Sequence, residues 1–122
     1  MHHPPLDIGI PSMDLIGLVD KQGFAEALSG AGAGAGGIRH IFFGHVHRPV
    51  SGSWRGIPYS ALRSLVHQVP LDLVIQSPVP YDLAPPAYNV IFLNGEDTVV
   101  HHHEFLDVSH LPPGTERYTK AE

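Results

Sequence analysis

Two histidines, His45 and His47, directly follow an apolar run and are well suited to bind metal ions. The run, residues 38–43, is short, β-branched and aromatic, which predicts a buried strand, and Gly44 allows the chain to turn at its end. In extended backbone the side chains of residues i and i+2 point the same way, whereas in a bend they diverge toward two neighbouring ions. Because imidazole is a common ligand of zinc and other transition metals, the pattern predicts metal ligands at the end of this strand.

A His-x-His pair is a weak signal by itself, because a sequence with ten histidines contains such pairs by chance. A second pair, His2 and His3, precedes the rigid prolines Pro4 and Pro5 and strengthens the interpretation. Two histidines after an initial methionine also occur in purification tags. Residues 6–14, however, have neither linker nor protease-site character. We therefore interpret the second pair as part of the protein's own chemistry.

Four motifs follow one another in the first half of the chain. His-His-Pro-Pro at residues 2–5 is followed by Gly9, by Met-Asp at residues 13–14 and, after an amphipathic segment, by Gly-His-Val-His at residues 44–47. This order resembles the C-terminal half of the calcineurin-like metallophosphoesterases. Within them it is most similar to the class III cyclic nucleotide phosphodiesterase and glycerophosphodiesterase branch. Residues 66–70 and 81–85 extend the resemblance, which covers most of residues 1–95.

The resemblance implies a fold and a reaction. The fold is of the α/β class, a four-layer α/β/β/α sandwich of which this chain would supply half, mostly β with one or two N-terminal helices. The reaction is hydrolysis of a phosphodiester by a metal-bound hydroxide, with two divalent transition-metal ions such as Mn, Fe, Zn or Co as cofactors. In the family pattern His2 and His45 bind one ion and His47 binds the other. His3 is implied as an outer hydrogen-bond partner of these ligands.

Three further residues are implied to contact the substrate: His67, Arg48 and Asp14. Taken alone, a histidine before Gln-Val-Pro is more typical of a solvent-exposed or outer residue. In the family the loop that carries it returns to the metal centre. The resemblance therefore places His67 in the substrate pocket, with Arg48 as a phosphate or structural contact and Asp14 near the mouth of the site.

The sequence departs from the family pattern in its missing carboxylates. The family has an Asp-x-His, a Gly-Asp whose aspartate bridges the ions and an Asn-His, all before the His-His-Pro-Pro element, and none occurs here. We therefore expect residues 1–108 to be the C-terminal portion of a single domain, followed by a polar tail at residues 109–122. We expect this portion to bind metal weakly and to be weak or inactive as an enzyme alone.

Composition restricts the other possibilities. The 122 residues suffice for one domain with a modest core, and the absence of cysteine excludes disulfides and thiolate zinc sites. The formal net charge of −5 opposes general binding to nucleic acid polymers, and the sequence has no apolar run long enough to cross a membrane. We expect a cytoplasmic protein that acts on a small phosphodiester and forms a homo-oligomer.

Two other functions are compatible with the same sequence. One is a noncatalytic module derived from this fold, which pairs its open sheet edges with another copy. The other is a small histidine-rich metal-binding protein in which His101, His102 and His103 matter most. Successive residues of a strand point to opposite faces, so these three side chains cannot all bind one ion.

Hydrophobic periodicity and turn residues predict the elements around these sites. A helical segment begins at Pro11-Ser12, with Ser12 or Asp20 as a cap, Leu15 and Val19 on its apolar face, and Gly23 as a division point. The predicted strands are Val50–Trp54 and Ile57–Tyr59 around Arg55-Gly56, a short strand Leu73–Gln76, and Ala87–Leu93 and Thr98–Leu106 around Asn-Gly-Glu-Asp.

Overall fold

The computed structural model describes residues 1–32 and 37–105. These residues form a mixed α/β structure with two short helices followed by strands, which confirms the predicted content. The predicted tail, residues 109–122, and Leu106 lie outside the described residues. The elements are α1 (Pro11–Asp14), α2 (Lys21–Leu28), β1 (Ile41–Phe42), β2 (Val50–Trp54), β3 (Ile57–Ala61), β4 (Ala87–Asn94) and β5 (Asp97–Glu104).

A three-stranded sheet in the order β1-β3-β2 lies beneath the histidines. Strand β3 is antiparallel to β2 and parallel to β1. The β2–β3 turn is formed by Arg55 and Gly56, which both have positive φ, at 52° and 80°. Two positive φ values are typical of the two-residue turns that match the twist of paired strands. The predicted hairpin is thus confirmed, and β3 extends two residues beyond the predicted end.

Strand β1 is much shorter than the predicted strand over residues 38–43. Only Ile41 and Phe42 are paired with β3. The N-terminal segment lies on the other side, where the Met1 amine donates to the carbonyl oxygen of Phe42 at 2.8 Å and the Gly44 amide donates to the carbonyl of His2 at 2.9 Å. The apolar run is thus held between a strand and an irregular segment, and this arrangement delivers the N-terminus to the end of β1.

The main core packs directly below the Gly-His-Val-His motif. Phe43 and Val46, on either side of Gly44 and His45, are buried in one cluster with side chains of β1 and β3. A second, smaller cluster joins α1 to the loop after His67. The buried members of the two clusters are Ile41, Phe43, Val46, Ile57 and Ala61, and Ile10, Met13 and Val69.

The helical segment divides at residues 15–20, not at Gly23 as predicted. The side chain of Asp20 accepts a 2.7 Å hydrogen bond from the Gly23 amide and so caps the N-terminus of α2. Asp20 was one of the two predicted caps. Gly23 lies inside the first turn of α2. The break exposes Leu15 and Val19, at 67% and 101% of their surface, so the prediction that they line a buried face is wrong.

The β4–β5 hairpin forms a separate two-stranded sheet. Its register pairs Ala87 with Glu104 and Asn94 with Asp97, close to the predicted bounds. The Arg63 guanidinium contacts the Glu104 carboxylate at 2.7 Å and fastens the hairpin to the segment after β3. As predicted from strand geometry, His102 lies on one face, with its ring bonded to Asn89, and His101 and His103 lie on the other.

The predicted strand over residues 73–76 does not form. The Asp72 carboxylate accepts hydrogen bonds from the amides of Val74 and Ile75, both at 2.8 Å, and this side-chain turn bends the backbone away from an extended path. Local competition from an aspartate side chain thus outweighs the β propensity of the following residues. Among the described residues, no helix has the length and apolarity needed to cross a membrane.

Candidate metal centre

The N-terminal segment brings His2 to the end of β1. The hydrogen bond between the Gly44 amide and the His2 carbonyl fixes the two segments side by side. Pro4 and Pro5, which follow, are fully buried and anchor the segment in the fold. Because proline has a fixed φ, this anchor restricts the backbone that carries the first two histidines. Two motifs far apart in sequence therefore meet at one point.

Three imidazoles converge at that point. The possible ligand atoms of His2, His3 and His45 all lie within 4.8 Å of one another. Their ring centroids are 4.7 Å apart for His2 and His3, 5.2 Å for His2 and His45, and 4.4 Å for His3 and His45. Among residues 1–32 and 37–105 this is the single group of three or more metal-ligating side chains with such spacing. We call it the histidine cluster.

His47 points away from the histidine cluster toward His67. Both His45 and His47 have left-handed backbone, with φ of 68° and 48°, and the fully buried Val46 lies between them. The centroid of the His47 ring is 4.6 Å from that of His67. This is the divergent alternative expected for a bend. The positive φ values fall on the two histidines, whereas Gly44, the predicted turning point, is not among the positive-φ residues.

His47 nevertheless opens onto the same cleft as the histidine cluster. One cleft is lined by His2, His45 and His47, with the segment after β3 on its other side. Left-handed backbone in residues other than glycine costs free energy and is often found at functional sites. The bend therefore points the two side chains in different directions from one cleft that both of them line.

Two ring nitrogens in this cleft are buried without a hydrogen-bond partner, Nε2 of His45 and Nδ1 of His47. An unsatisfied buried polar atom costs about 1–3 kcal/mol, so such atoms are uncommon in folded proteins. A neutral imidazole nitrogen presents a lone pair that a transition-metal ion would satisfy. The donor set therefore fits a divalent transition metal. The histidine cluster contains no carboxylate, so other ligands would be needed to complete the coordination of two ions.

The electrostatics of the cleft favour neutral imidazoles. Burial lowers the pKa of His45, and the neighbouring His3 and His2 lower it further. Burial also lowers the pKa of His47, as does the charge of His67, while the backbone of His67 acts in the opposite direction. Since only the unprotonated ring binds a metal, both side chains are ready to act as ligands at neutral pH.

These pKa shifts predict a loss of stability in mild acid for the metal-free chain. His40, His45 and His47 all have a pKa below the ordinary 6.5 in the folded state. The unfolded chain therefore binds protons first as the pH falls through 6.5, and the free energy of unfolding decreases until the folded-state pKa values are passed. Above pH 6.5 these groups add no pH dependence. Urea unfolding between pH 5 and 8 measures this slope, which should be smaller in His40→Asn; equal slopes would contradict the assignment.

A second prediction separates backbone strain from metal binding. At φ 68° glycine is unstrained, whereas alanine keeps the left-handed penalty. We expect the His45→Gly chain to be more stable than the His45→Ala chain by about 1 kcal/mol, while both bind Zn²⁺ equally weakly. Urea unfolding and calorimetric titration provide the two measurements. Equal stability of the two variants would show that the left-handed backbone stores no strain.

The other predicted site residues are placed as follows. His67 contacts His47 and has the Tyr81 ring at 5.9 Å. Arg48 lines a small cleft together with His47 and Arg63. The carboxylate of Asp14 accepts hydrogen bonds from the amides of Ile8 and Gly9, at 2.8 and 3.1 Å, so it fixes the turn before α1. Whether Arg48 and Asp14 contact a substrate stays a prediction.

His3 lies inside the histidine cluster. The resemblance implies an outer role for it, and its ring centroid is 4.4 Å from that of His45, so whether it binds a metal directly stays a prediction. The signal available in the sequence was its position next to His2. Adjacent residues in irregular backbone can turn to the same side, and only the structure shows that they do so here.

Three curated proteins are similar to this chain. A probable cyclic nucleotide phosphodiesterase of Rhodopseudomonas palustris is 38% identical over 105 residues, which are 86% of this chain and 37% of that protein. A probable glycerophosphodiester phosphodiesterase of Arcobacter nitrofigilis is 28% identical over 107 residues, 87% of this chain and 38% of that protein. A probable cyclic nucleotide phosphodiesterase of Synechococcus is 39% identical over 57 residues, 47% of this chain and 18% of that protein. No protein-family model matches the chain.

The chain is similar to part of a phosphodiesterase. It spans less than two fifths of the length of the relatives from Rhodopseudomonas and Arcobacter. Their names place them among the phosphoester hydrolases, which agrees with the resemblance noted in the sequence. The mixed α/β structure is compatible with a portion of such a fold.

Proposed function

We propose that this chain supplies the histidine ligands of a metal-dependent phosphodiesterase. His2 and His45 hold one divalent cation and His47 holds a second in the same cleft, with Mn, Fe, Zn or Co as the ions. The observation that carries this proposal is the convergence of the imidazoles of His2, His3 and His45 from two distant segments. Ring nitrogens of His45 and His47 are in addition buried without a hydrogen-bond partner. The names of the relatives supply the reaction class.

The reaction is hydrolysis of one ester bond of a phosphodiester. His2, His45 and His47 would hold the cations, which when bound would supply activation of a water molecule and neutralisation of phosphoryl charge. The water oxygen forms a bond to phosphorus, the bond from phosphorus to the ester oxygen breaks, and the departing alcohol takes up a proton. The chain's own part is to keep His45 and His47 unprotonated and aimed by a fixed bend, with His67 placed at the side of His47 to contact the substrate.

The remaining ligands have to come from outside these residues. Carboxylates and a catalytic Asn-His pair, as in the family that the sequence resembles, would complete the coordination. We propose that the fold is a four-layer α/β/β/α sandwich of which this chain supplies half, with its two helices and its β strands. A cyclic nucleotide or a glycerophosphodiester is the substrate class suggested by the relatives, and the chain alone is expected to be a weak catalyst.

Hydrolysis of a chromogenic phosphodiester with added Mn²⁺ tests this function. We expect slow turnover by the chain, and loss of that turnover in His45→Ala, because removal of one ligand disrupts the site. His102→Ala is the matched control, since His102 lies on β5 and bonds to Asn89. Turnover that survives in His45→Ala would contradict the proposal, as would its absence from the chain even when the upstream portion of a relative is supplied.

A noncatalytic oligomerising module is the second candidate, and the hairpin favours it. On the face of β4 and β5 opposite His102, the side chains of Tyr88, Val90, Phe92 and Val99 are all substantially exposed. A two-stranded sheet with an exposed apolar face is marginally stable unless another surface covers it. Light scattering over a range of concentrations tests this function: a mass that rises to twice that of the chain supports it, and a constant monomer mass contradicts it.

A further inference from the structure

Gln68, next to His67, has a buried polar side chain that no site described above uses. It is 3% exposed, and with Ser12 it is one of two buried polar residues among the described ranges. Its Oε1 accepts a hydrogen bond from the Ser64 amide at 2.9 Å, and its Nε2 donates to the Ser64 carbonyl at 2.8 Å. The carboxamide thus binds both backbone groups of one residue, as a paired strand would. It closes residues 64–68 into a loop with His67 near its end.

The backbone of this loop is attached to the candidate metal centre on its other side. The Gln68 amide and carbonyl pair with those of Asp82 in an isolated antiparallel bridge, both at 2.9 Å. The Val69 amide donates to the His47 carbonyl at 3.2 Å. The loop that carries His67 is therefore fastened directly to the residue that His67 contacts.

Apolar packing orders this loop only at its C-terminal end, where the buried Val69 belongs to the second core cluster. Leu65 and Val66, the residues before His67, are 69% and 79% exposed. Polar contacts therefore hold the part of the loop that precedes His67. Within residues 64–68, the side chain of Gln68 is the one that links the two ends of the loop. The Ser64 hydroxyl reaches only as far as the Val66 amide, at 3.1 Å.

We propose that Gln68 is a positioning residue, whose buried carboxamide closes the 64–68 loop and holds the His67 ring against the His47 ring. Its effect on turnover rests on the proposed function, because His67 acts on a substrate only if the cleft is a phosphodiesterase site. The ring placement itself does not depend on that function. A structural test and a kinetic test can therefore fail separately.

The structural test is the nuclear Overhauser effect between the ring protons of His47 and His67 in the metal-free chain. We expect this contact to be present in the unsubstituted chain and lost in Gln68→Met, which keeps the length of the side chain but removes both hydrogen bonds. Gln76→Met is the matched control, because Gln76 is exposed on the following loop, and it should leave the contact intact. A ring contact that persists in Gln68→Met overturns the proposal.

A second measurement avoids the chance that Gln68→Met does not fold. In the unsubstituted chain, the side-chain amide protons of Gln68 should exchange slowly with solvent, because they are buried and bonded to Ser64. Rapid exchange would overturn the proposal without any variant. Gln68→Glu, which keeps the acceptor for the Ser64 amide and loses the donor, is expected to weaken the ring contact.

The kinetic test is a double-mutant cycle on hydrolysis of the chromogenic phosphodiester. If Gln68 acts through His67, then His67→Ala and Gln68→Met should each raise KM, and the double variant should be no worse than His67→Ala alone. A residue that merely stabilises the fold would give losses that multiply. Multiplied losses overturn the positioning role. Loss of the ring contact without any metal-dependent turnover would instead sustain that role and refute the proposed function.

Discussion

Replacing His45 by alanine should weaken the binding of Zn²⁺ or Mn²⁺ to this chain by at least about tenfold, as loss of even an outer partner of a metal ligand does. His45 belongs to the histidine cluster, and the ring centroids of both His2 and His3 lie within 5.2 Å of its own. Its buried Nε2 has no hydrogen-bond partner to lose, so the substitution removes a ligand without breaking another contact that Nε2 makes. Calorimetric titration of the metal-free chain at neutral pH measures the change.

The control for this prediction has to remove the exposed histidines of β5. His101 and His103 share one face of the hairpin and can bind metal adventitiously, so both are replaced by asparagine in every variant compared. His102→Ala in that background should bind as the unsubstituted chain does. If His45→Ala in that background keeps its affinity, the histidine cluster is not the site of metal binding.

Replacing Phe43 by alanine should lower the free energy of unfolding by about 3–5 kcal/mol, the usual cost of a large cavity in a well-packed core. Phe43 is 2% exposed, belongs to the core cluster below Gly44 and packs against Tyr59 with 5.5 Å between ring centroids. Since this loss is a large share of the stability of an ordinary domain, we expect much of the chain to be unfolded at 37 °C. Urea unfolding at 25 °C provides the measurement.

The matched control for Phe43 is Phe92, on the exposed face of β4. It is 56% exposed, so its replacement by alanine should change the free energy of unfolding by no more than about 0.5 kcal/mol. A similar loss for both variants would mean that the hairpin face is buried in solution, which would favour the oligomerising module. An unchanged midpoint for Phe43→Ala would contradict the core described above.

Local sequence signals predicted the parts of the fold that local interactions determine. Both hairpins were predicted correctly from their turn residues, Arg55-Gly56 and Asn-Gly-Glu-Asp, because such residues restrict the backbone wherever they occur. The strand at residues 73–76 failed because the Asp72 side chain bonds to the following amides. The prediction that Leu15 and Val19 are buried was wrong because a cap at Asp20 starts a second helix, and hydrophobic periodicity does not reveal such a break.

The sequence supplied candidate site residues, which stay a prediction, but not their geometry. Their spacing alone left open whether the side chains of His45 and His47 point the same way. The left-handed backbone at both residues makes the two side chains diverge. The approach of His2 to His45 depends on hydrogen bonds between residues 41 and 42 positions apart, which no local pattern contains. The role of Gln68 was missed because a buried glutamine in sequence looks the same as an exposed one.

The most direct test of the two-ion site is an anomalous-scattering map of crystals of the chain soaked in Zn²⁺. We expect one peak at about 2.0–2.1 Å from the Nε2 atom of His45 and within reach of His2, and a second beside the Nδ1 atom of His47. Peaks confined to the exposed histidines of β5, with none in the cleft of His45 and His47, would contradict the account.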